Sequence, residues 1–175
     1  AEKAGLPVIT TLMGLGACPG NHPLWLGMPG MHGTVAANRA IHHADVILAI
    51  GLRFDDRVTG KVSRFAPHAH TIIHVDIDPA EIGKVVRTHI PIVGDSRLVL
   101  KELLKGAKAL RLAAWWRELE EWCTRYPLRY RPKPHLQSQE VIRAFYEATG
   151  GHAIVTTGVG QHQMFAAQFF PVTRP

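Results

Sequence analysis

The stretch Asp45–Gly60, DVILAIGLRFDDRVTG, places two arginines and two aspartates directly behind an apolar run. Adjacent carboxylates such as Asp55 and Asp56 could work as a general acid and a general base, provided that one of them held a proton. The flanking arginines favour the ionised form of both carboxylates, and consecutive side chains diverge. The pattern therefore favours a ligand-binding loop, in which Gly51 lets the backbone approach a ligand whose charge the arginines neutralise.

Other residue types that could do chemistry are poorly spaced. His42 and His43 are neighbours, whereas two zinc-binding histidines on a helix need i, i+4 spacing and further ligands. No serine lies in a GxSxG nucleophile elbow. The two cysteines, Cys18 and Cys123, are far apart and form no CxxC motif. A metal site, a serine hydrolase and a disulfide framework are therefore disfavoured, and the reducing cytoplasm is the expected location.

Strand-like and helix-like patterns alternate along the first hundred residues. Runs rich in β-branched residues predict four strands, at 7–12, 45–51, 71–78 and 90–95. Helices are predicted at 32–44, from the Asp78-Pro79 start signal with Glu81 at the capping-box position, and from about Ser96. This alternation predicts an α/β fold with a Rossmann-like parallel sheet and flanking helices.

The pattern changes near Gly106. A charged helix bearing three tryptophans runs to about Tyr126, and the prolines of 127–136 predict a linker. A helix that ends at Gly150, a strand at 152–160 and a helix from about Gln161 then predict the start of a second α/β unit.

The formal net charge of +6 is concentrated between Arg97 and Lys133. A nucleic-acid site needs basic residues interleaved with stacking aromatics or a known motif, whereas these tryptophans lie at helical spacing. The interpretation is a solvated linker helix whose tryptophans dock on a neighbour. No run approaches the roughly 18 apolar residues of a membrane span. Neither nucleic acid nor a membrane is therefore an expected partner.

Ligands of open parallel sheets bind at the carboxyl ends of the strands, so the residues that follow each strand matter most. Gly, Asp, Arg or Thr follow four predicted strands in series: Thr11, Gly51 to Arg57, Asp76 to Asp78, and Gly94 to Ser96. Glycines let backbone N–H groups reach phosphates, and an acid at a strand end can bind ribose hydroxyls. The set suits a long nucleotide, although no GxGxxG motif is present and ordinary βα loops remain the alternative for each residue singly.

Five longer motifs carry a resemblance to one family: TTLMGLG, GMPGMHGT, GLRFDDRVTG, HVDIDPAEIGK and TTGVGQHQMFAAQ. In these, and along essentially the entire chain, the sequence resembles the large catalytic subunits of acetolactate synthase (acetohydroxyacid synthase), which are thiamine-diphosphate enzymes. The resemblance implies three α/β domains: one that activates thiamine, a middle one that binds FAD, and a C-terminal one that holds the cofactor diphosphate and Mg²⁺.

The resemblance also implies the domain bounds of this chain. Residues 1–105 would be the middle domain without its first strand, 106–136 a linker helix and proline-rich linker, and 137–175 the beginning of the C-terminal domain. The family's catalytic glutamate and its Mg²⁺ ligands would lie outside the chain, so the chain alone is expected to be inactive. An incomplete sheet exposes an edge, and dimerisation through that edge is a further expectation.

The family pattern assigns cofactor contacts residue by residue. It implies FAD contacts at Thr11, Leu12, Pro29, Gly30, Met31, His32, Gly51, Leu52, Arg53, Phe54, Asp55, Asp76, Ile77, Asp95 and Ser96. It implies thiamine-diphosphate contacts at Gln161 and His162, and it places Asp56 and Arg57 at the active-site entrance. Pro29 replaces the family's usual leucine and offers no backbone N–H for a ligand.

The implied reaction joins two pyruvates, or pyruvate and 2-oxobutanoate, to an acetohydroxy acid with loss of CO2, in branched-chain amino-acid biosynthesis. FAD has no net redox role in that family. The implied partners are the other domains of the subunit, further copies in a homodimer or larger homo-oligomer, and a small regulatory subunit. Two alternatives stay open: a sister carboligase such as glyoxylate carboligase or sulfoacetaldehyde acetyltransferase, and a nucleotide-binding module without catalysis.

Overall fold

The computed structural model describes residues 1–174, and its three β-strands form one parallel sheet. The strands are β1 (Val46–Ile50), β2 (Thr71–Asp76) and β3 (Ile90–Val93), in the spatial order β1-β2-β3. The α-helices are α1 (Val35–His43), α2 (Asp56–Thr59), α3 (Ser96–Gly106), α4 (Ala113–Arg125), α5 (Ser138–Ala148) and α6 (Gln161–Phe169). The predicted α/β architecture with a parallel sheet is confirmed.

The register of the sheet aligns the carboxyl ends of its strands. Ile50 of β1 pairs with Val75 of β2, and Asp76 pairs with Val93 of β3. The ladder continues one residue beyond each outer strand, because the Gly51 N–H donates to the Val75 carbonyl at 2.8 Å and the Gly94 N–H to the Asp76 carbonyl at 2.9 Å. The residues that follow the three strands therefore begin at one edge of the sheet, here called the strand-end edge.

One hydrophobic cluster lies on the face of the sheet that carries Ala49 and Ile72. Phe54 and Val86 complete its buried part, and Phe65 packs against it. Side chains alternate across a strand, so the same face of β2 carries Ile72, His74 and Asp76. Because Phe54 belongs to the loop after β1, this cluster anchors that loop to the face of the sheet.

A second cluster joins α1 to α4. Ala36, Ala37 and Ala40 give α1 a face without bulky side chains, and Leu119 and Trp122 of α4 are buried against it. The prediction of a helix that carries the tryptophans is confirmed, and their docking surface is α1. The helix is thus part of a core, although its other face is charged and exposed.

Two predicted strands are wrong. Residues 7–12 form one isolated parallel bridge, between Val8 and Trp25, followed by a 3₁₀ turn at Leu12–Gly14. Residues 152–158 have no regular secondary structure, residues 159–160 form a bend, and the segment makes no ladder within the described chain. A strand needs a neighbour that satisfies its backbone groups, and β-branched composition does not supply one.

The helix predicted from Asp78 is also wrong. The Asp78 carboxylate does accept a hydrogen bond from the Ala80 N–H at 2.9 Å, as a cap would. The chain then makes only turns, and Gly83 adopts a φ of 74°. A glycine in the left-handed conformation ends a helix, so the start signal is followed at once by a stop. No helix within residues 1–174 is both long and apolar enough to cross a bilayer.

Candidate functional site

The loop after β1 contains most of the charged residues predicted to face a ligand. Arg53, Asp56 and Arg57 are exposed, and Gly51 has a φ of 61° with no atom within 4 Å of where a Cβ would lie. The backbone at Gly51 is therefore open to a close approach by a ligand. Phe54, in contrast, is only 1% exposed, so it offers almost no surface to a ligand.

Asp55 caps the short helix α2. Its carboxylate accepts hydrogen bonds from the Arg57 N–H at 3.0 Å and from the Val58 N–H at 3.2 Å. These bonds satisfy N–H groups that have no partner inside the helix. The cap fixes the direction in which the chain leaves the strand end, and with it the positions of the two arginines.

The ends of β2 and β3 add two more carboxylates to the same edge. Asp76 is 9% exposed, and its Oδ1 accepts from the Asp78 N–H at 2.9 Å. Ile77 is 71% exposed directly after it, an unusual position for an isoleucine at a strand end. Asp95 caps α3 by accepting from the Leu98 N–H at 3.0 Å, and Ser96 begins that helix.

The glycine loop, residues 27–33 before α1, packs against the loop after β1. The Met31 N–H donates to the Arg57 carbonyl at 3.1 Å, and a Cβ on Gly30 would overlap that same oxygen. Met31 and His32 are exposed, while Pro29 is buried. The structure thus brings together the predicted contacts of two sequence regions that lie about 25 residues apart.

Asn38 holds the glycine loop from the side of α1. Its Oδ1 accepts from the Gly30 N–H at 2.8 Å, and its Nδ2 donates to the Gly30 carbonyl at 2.9 Å and the Thr34 carbonyl at 3.0 Å. The sequence reasoning missed this residue. A signal was present, because asparagine is a poor residue for a helix interior and tends to bond nearby backbone groups.

The segment with Thr11 and Leu12 is fixed to the glycine loop by backbone bonds. The Thr10 N–H donates to the Gly27 carbonyl at 3.2 Å, and the Trp25 indole N–H donates to the Thr10 hydroxyl at 2.8 Å. Thr11 and Leu12 follow in a short turn and are half-buried. Their predicted role in binding stays a prediction.

Gln161 and His162 lie exposed at the start of α6, behind Gly160. Within residues 1–174 no hydrogen bond joins either side chain to the edge of the sheet. The other end of α6 does reach the glycine loop, because the Gln168 side-chain amide donates to the His32 carbonyl at 2.8 Å. Gln168 is a second residue that the sequence reasoning missed, and a glutamine on a helix gives no signal of such a bond.

The histidines near α1 form a cluster without metal-binding geometry. The rings of His42, His43 and His68 lie with their centroids 5.0–5.6 Å apart. Loss of hydration lowers the pKa of His43, and the positive charges of His42, His68 and Arg39 lower it further, while Glu118 opposes them. Among residues 1–174, no three His, Cys, Asp or Glu side chains are arranged to hold a metal ion.

The two thiols are not activated as nucleophiles. Burial raises the pKa of Cys18, and the positive N-terminus only partly opposes it. Burial and Glu120 both raise the pKa of Cys123. A thiolate is the reactive form of cysteine, so both shifts reduce reactivity near neutral pH. The strand-end edge remains the strongest candidate site.

A model of one protein family, described as the central domain of thiamine pyrophosphate enzymes, matches residues 1–103. The chain belongs to this family. The matched part of the chain contains β1, β2, β3, the glycine loop and the strand ends. The family resemblance predicted from the motifs is therefore confirmed.

Curated relatives extend the similarity along the whole chain. It is 46% identical to the acetolactate synthase large subunit of Buchnera aphidicola subsp. Schlechtendalia chinensis over an alignment 183 positions long, which covers 100% of the chain and 32% of the relative. It is 47% identical to the isozyme 3 large subunit of Escherichia coli K12, over 99% of the chain and 32% of the relative. It is 50% identical to the large subunit of Corynebacterium glutamicum, over 100% of the chain and 29% of the relative. The chain spans about a third of the length of these relatives.

Proposed function

We propose that the chain is part of an acetolactate synthase, which joins two pyruvates, or pyruvate and 2-oxobutanoate, with loss of CO2. The observation that carries the proposal is the 46–50% identity to acetolactate synthase large subunits along the full chain. That identity includes residues 104–174, which lie outside the match to the central-domain family.

The strand-end edge suits FAD in its geometry. Gly51 exposes backbone at a positive φ with open space beside it, as close approach to a pyrophosphate requires. Asp76 presents a carboxylate at the end of β2, where the ribose hydroxyls of a nucleotide bind in related sheets. In the proposal, Arg53 neutralises phosphate charge, and Gly30 and Met31 line the site from the glycine loop.

Thiamine diphosphate, when bound, supplies the carbanion chemistry that joins the two keto acids. In the proposal, Gln161 and His162 contribute to its site from the start of α6, where backbone N–H groups favour a diphosphate. Asp56 and Arg57 are exposed in the loop after β1 and would line the entrance to the active site. The family resemblance places the Mg²⁺ ligands outside this chain, and we propose none among its residues.

The names of the relatives also suggest partners. They are called large subunits, which supports a small regulatory subunit as a partner of the whole protein. A homodimer or larger homo-oligomer and a cytoplasmic location stay predictions.

The proposal is tested with the full-length protein that contains this chain. Purified apoprotein is titrated with FAD and followed by flavin absorbance, and product formation is then measured with pyruvate, glyoxylate and sulfoacetaldehyde. We expect saturable FAD uptake and acetolactate formation from pyruvate. Turnover of glyoxylate or sulfoacetaldehyde in its place would identify a sister carboligase, and FAD uptake without any turnover would favour a binding module.

A further inference from the structure

His74 lies in the middle of β2 and is fully buried. Neither of its ring nitrogens has a hydrogen-bond partner within residues 1–174. A buried polar atom without a partner costs free energy, because it has lost its hydrogen bonds to water. Hydrogen bonding therefore does not explain why a histidine occupies this buried position, whereas packing of its ring can.

The ring of His74 meets the ring of Phe54 edge to face. The two centroids are 5.0 Å apart, and the ring planes make an angle of 80°. Phe65 contacts Phe54 in the same manner, with centroids 5.7 Å apart. Edge-to-face pairs are a favourable arrangement of aromatic rings. Together the two neighbours define where the buried Phe54 ring can lie.

Phe54 needs this support because of its backbone. Its φ is 55°, in the left-handed region that favours glycine. A bulky residue in that region is strained and persists only where the surrounding structure determines it. The enclosed position of the ring offsets the strain, and it thereby sets the direction of the chain at this turn.

The turn at Phe54 lies between two fixed points of the loop. On one side, the Gly51 N–H donates to the Val75 carbonyl of β2. On the other side, Asp55 caps α2. Arg53 lies between the first fixed point and the turn. Its direction, and the placement of the cap, therefore depend on the conformation of Phe54.

We infer that His74 is a positioning residue for the ligand-binding loop. By packing against Phe54 it maintains the left-handed turn that directs Arg53 towards FAD. The identity of the ligand rests on the proposed function, whereas the effect on the loop can be measured without any ligand. Because His74 acts through the shape of its ring, a phenyl ring at this position serves equally well.

The first test measures amide hydrogen exchange in the flavin-free, full-length protein, at the Arg57 and Val58 N–H groups that Asp55 caps. His74→Ala is expected to speed their exchange by about tenfold or more, and His74→Phe to keep it within about threefold of wild type. Val75→Ala is the matched control, because Val75 is equally buried and faces the other side of the sheet. Equal effects of His74→Ala and Val75→Ala, or of His74→Ala and His74→Phe, would overturn the inference.

The second test measures FAD affinity by flavin fluorescence in a double-mutant cycle. His74→Ala is expected to raise the Kd by about tenfold, and by less than about threefold in a Phe54→Gly background, because glycine adopts a positive φ without support. If His74→Ala raised the Kd by the same factor in both backgrounds, the result would contradict an action through Phe54. If the wild-type protein binds no FAD, the proposed function fails, and the exchange measurement still decides the role of His74.

Discussion

The Met31 N–H donates to the Arg57 carbonyl at 3.1 Å and so joins the glycine loop before α1 to the charged loop after β1. Both loops carry residues predicted to contact FAD, and neither residue of this pair uses its side chain in the bond. The side chain of Arg57 therefore stays free to face solvent or a ligand. The spacing between the two loops depends on how closely their backbones approach, which the glycine next to Met31 controls.

Gly30→Ala should separate the two loops, because the added Cβ would overlap the Arg57 carbonyl and the residue has a φ of 88°. We expect a loss of more than about 2 kcal/mol in the free energy of unfolding, measured by chemical denaturation. Gly51→Ala is the control, with a similar positive φ but open space around its Cβ, and should cost about 1 kcal/mol. Equal losses would show that steric overlap does not control the loop.

Asn38→Ala should release the glycine loop from α1. The substitution removes three hydrogen bonds and leaves the backbone groups of Gly30 without this partner, at a cost of about 1–3 kcal/mol in the free energy of unfolding. Asn38→Asp keeps the acceptor for the Gly30 N–H but places a carboxylate oxygen, which can only accept, against the Gly30 and Thr34 carbonyl oxygens, so its loss should be at least as large as that of Asn38→Ala. Thermal denaturation of both variants checks the order, and an Asp variant clearly more stable than the Ala variant would contradict it.

Arg53→Ala should weaken FAD binding by about tenfold or more, as expected for loss of one charge-assisted contact. Arg57→Ala should change the affinity by less than about threefold, because its carbonyl still holds Met31 and its side chain is assigned to the site entrance. Titration of the apoproteins with FAD measures both values. Similar losses in the two variants would remove this division of roles.

The stability of the chain should fall as the pH drops through the titration of His43. The pKa of His43 is below its ordinary value of 6.5 in the folded protein, chiefly through lost hydration, so the unfolded state binds protons first. The stability contributed by neutral His43 is present above about pH 6.5 and is lost as the pH falls through the lower, folded-state pKa. The effect is small, because the side chain is exposed and screened by solvent.

Thermal unfolding between about pH 7.5 and pH 5.5 measures this dependence. His43→Gln should flatten the decline in Tm, whereas His135→Gln, an exposed histidine of the linker, should leave it unchanged. A decline that is as steep in His43→Gln as in the wild type would assign the pH dependence to other groups.

The periodicity of the sequence predicted the three strands of the sheet correctly, but it also predicted two strands that the structure lacks. β1, β2 and β3 were predictable because each is a short apolar run between turn residues, and parallel strands align their ends wherever they pair. Residues 7–12 and 152–160 have the same composition and fail to form strands, since pairing depends on a neighbour that local sequence does not specify. The helix expected after Asp78 fails for a local reason, the left-handed Gly83.

The candidate site was predictable where it depends on strand ends and not where it depends on packing. Gly51, Asp76 and Gly94 share one edge as expected. The burial of Phe54 was not predictable, because its position between two charged residues suggests exposure. Asn38 gave a weak signal, and the bond from Gln168 to His32 joins residues too far apart for any local pattern.

The contact between α1 and α4 has a consequence for the order of folding. The alanine face of α1 is synthesised before Leu119 and Trp122, which cover it and follow about 80 residues later. At roughly 5–20 residues per second, the ribosome needs several seconds to deliver them. The core between α1 and α4 therefore closes only after the whole sheet has been synthesised, and until then the apolar face of α1 is accessible to chaperones.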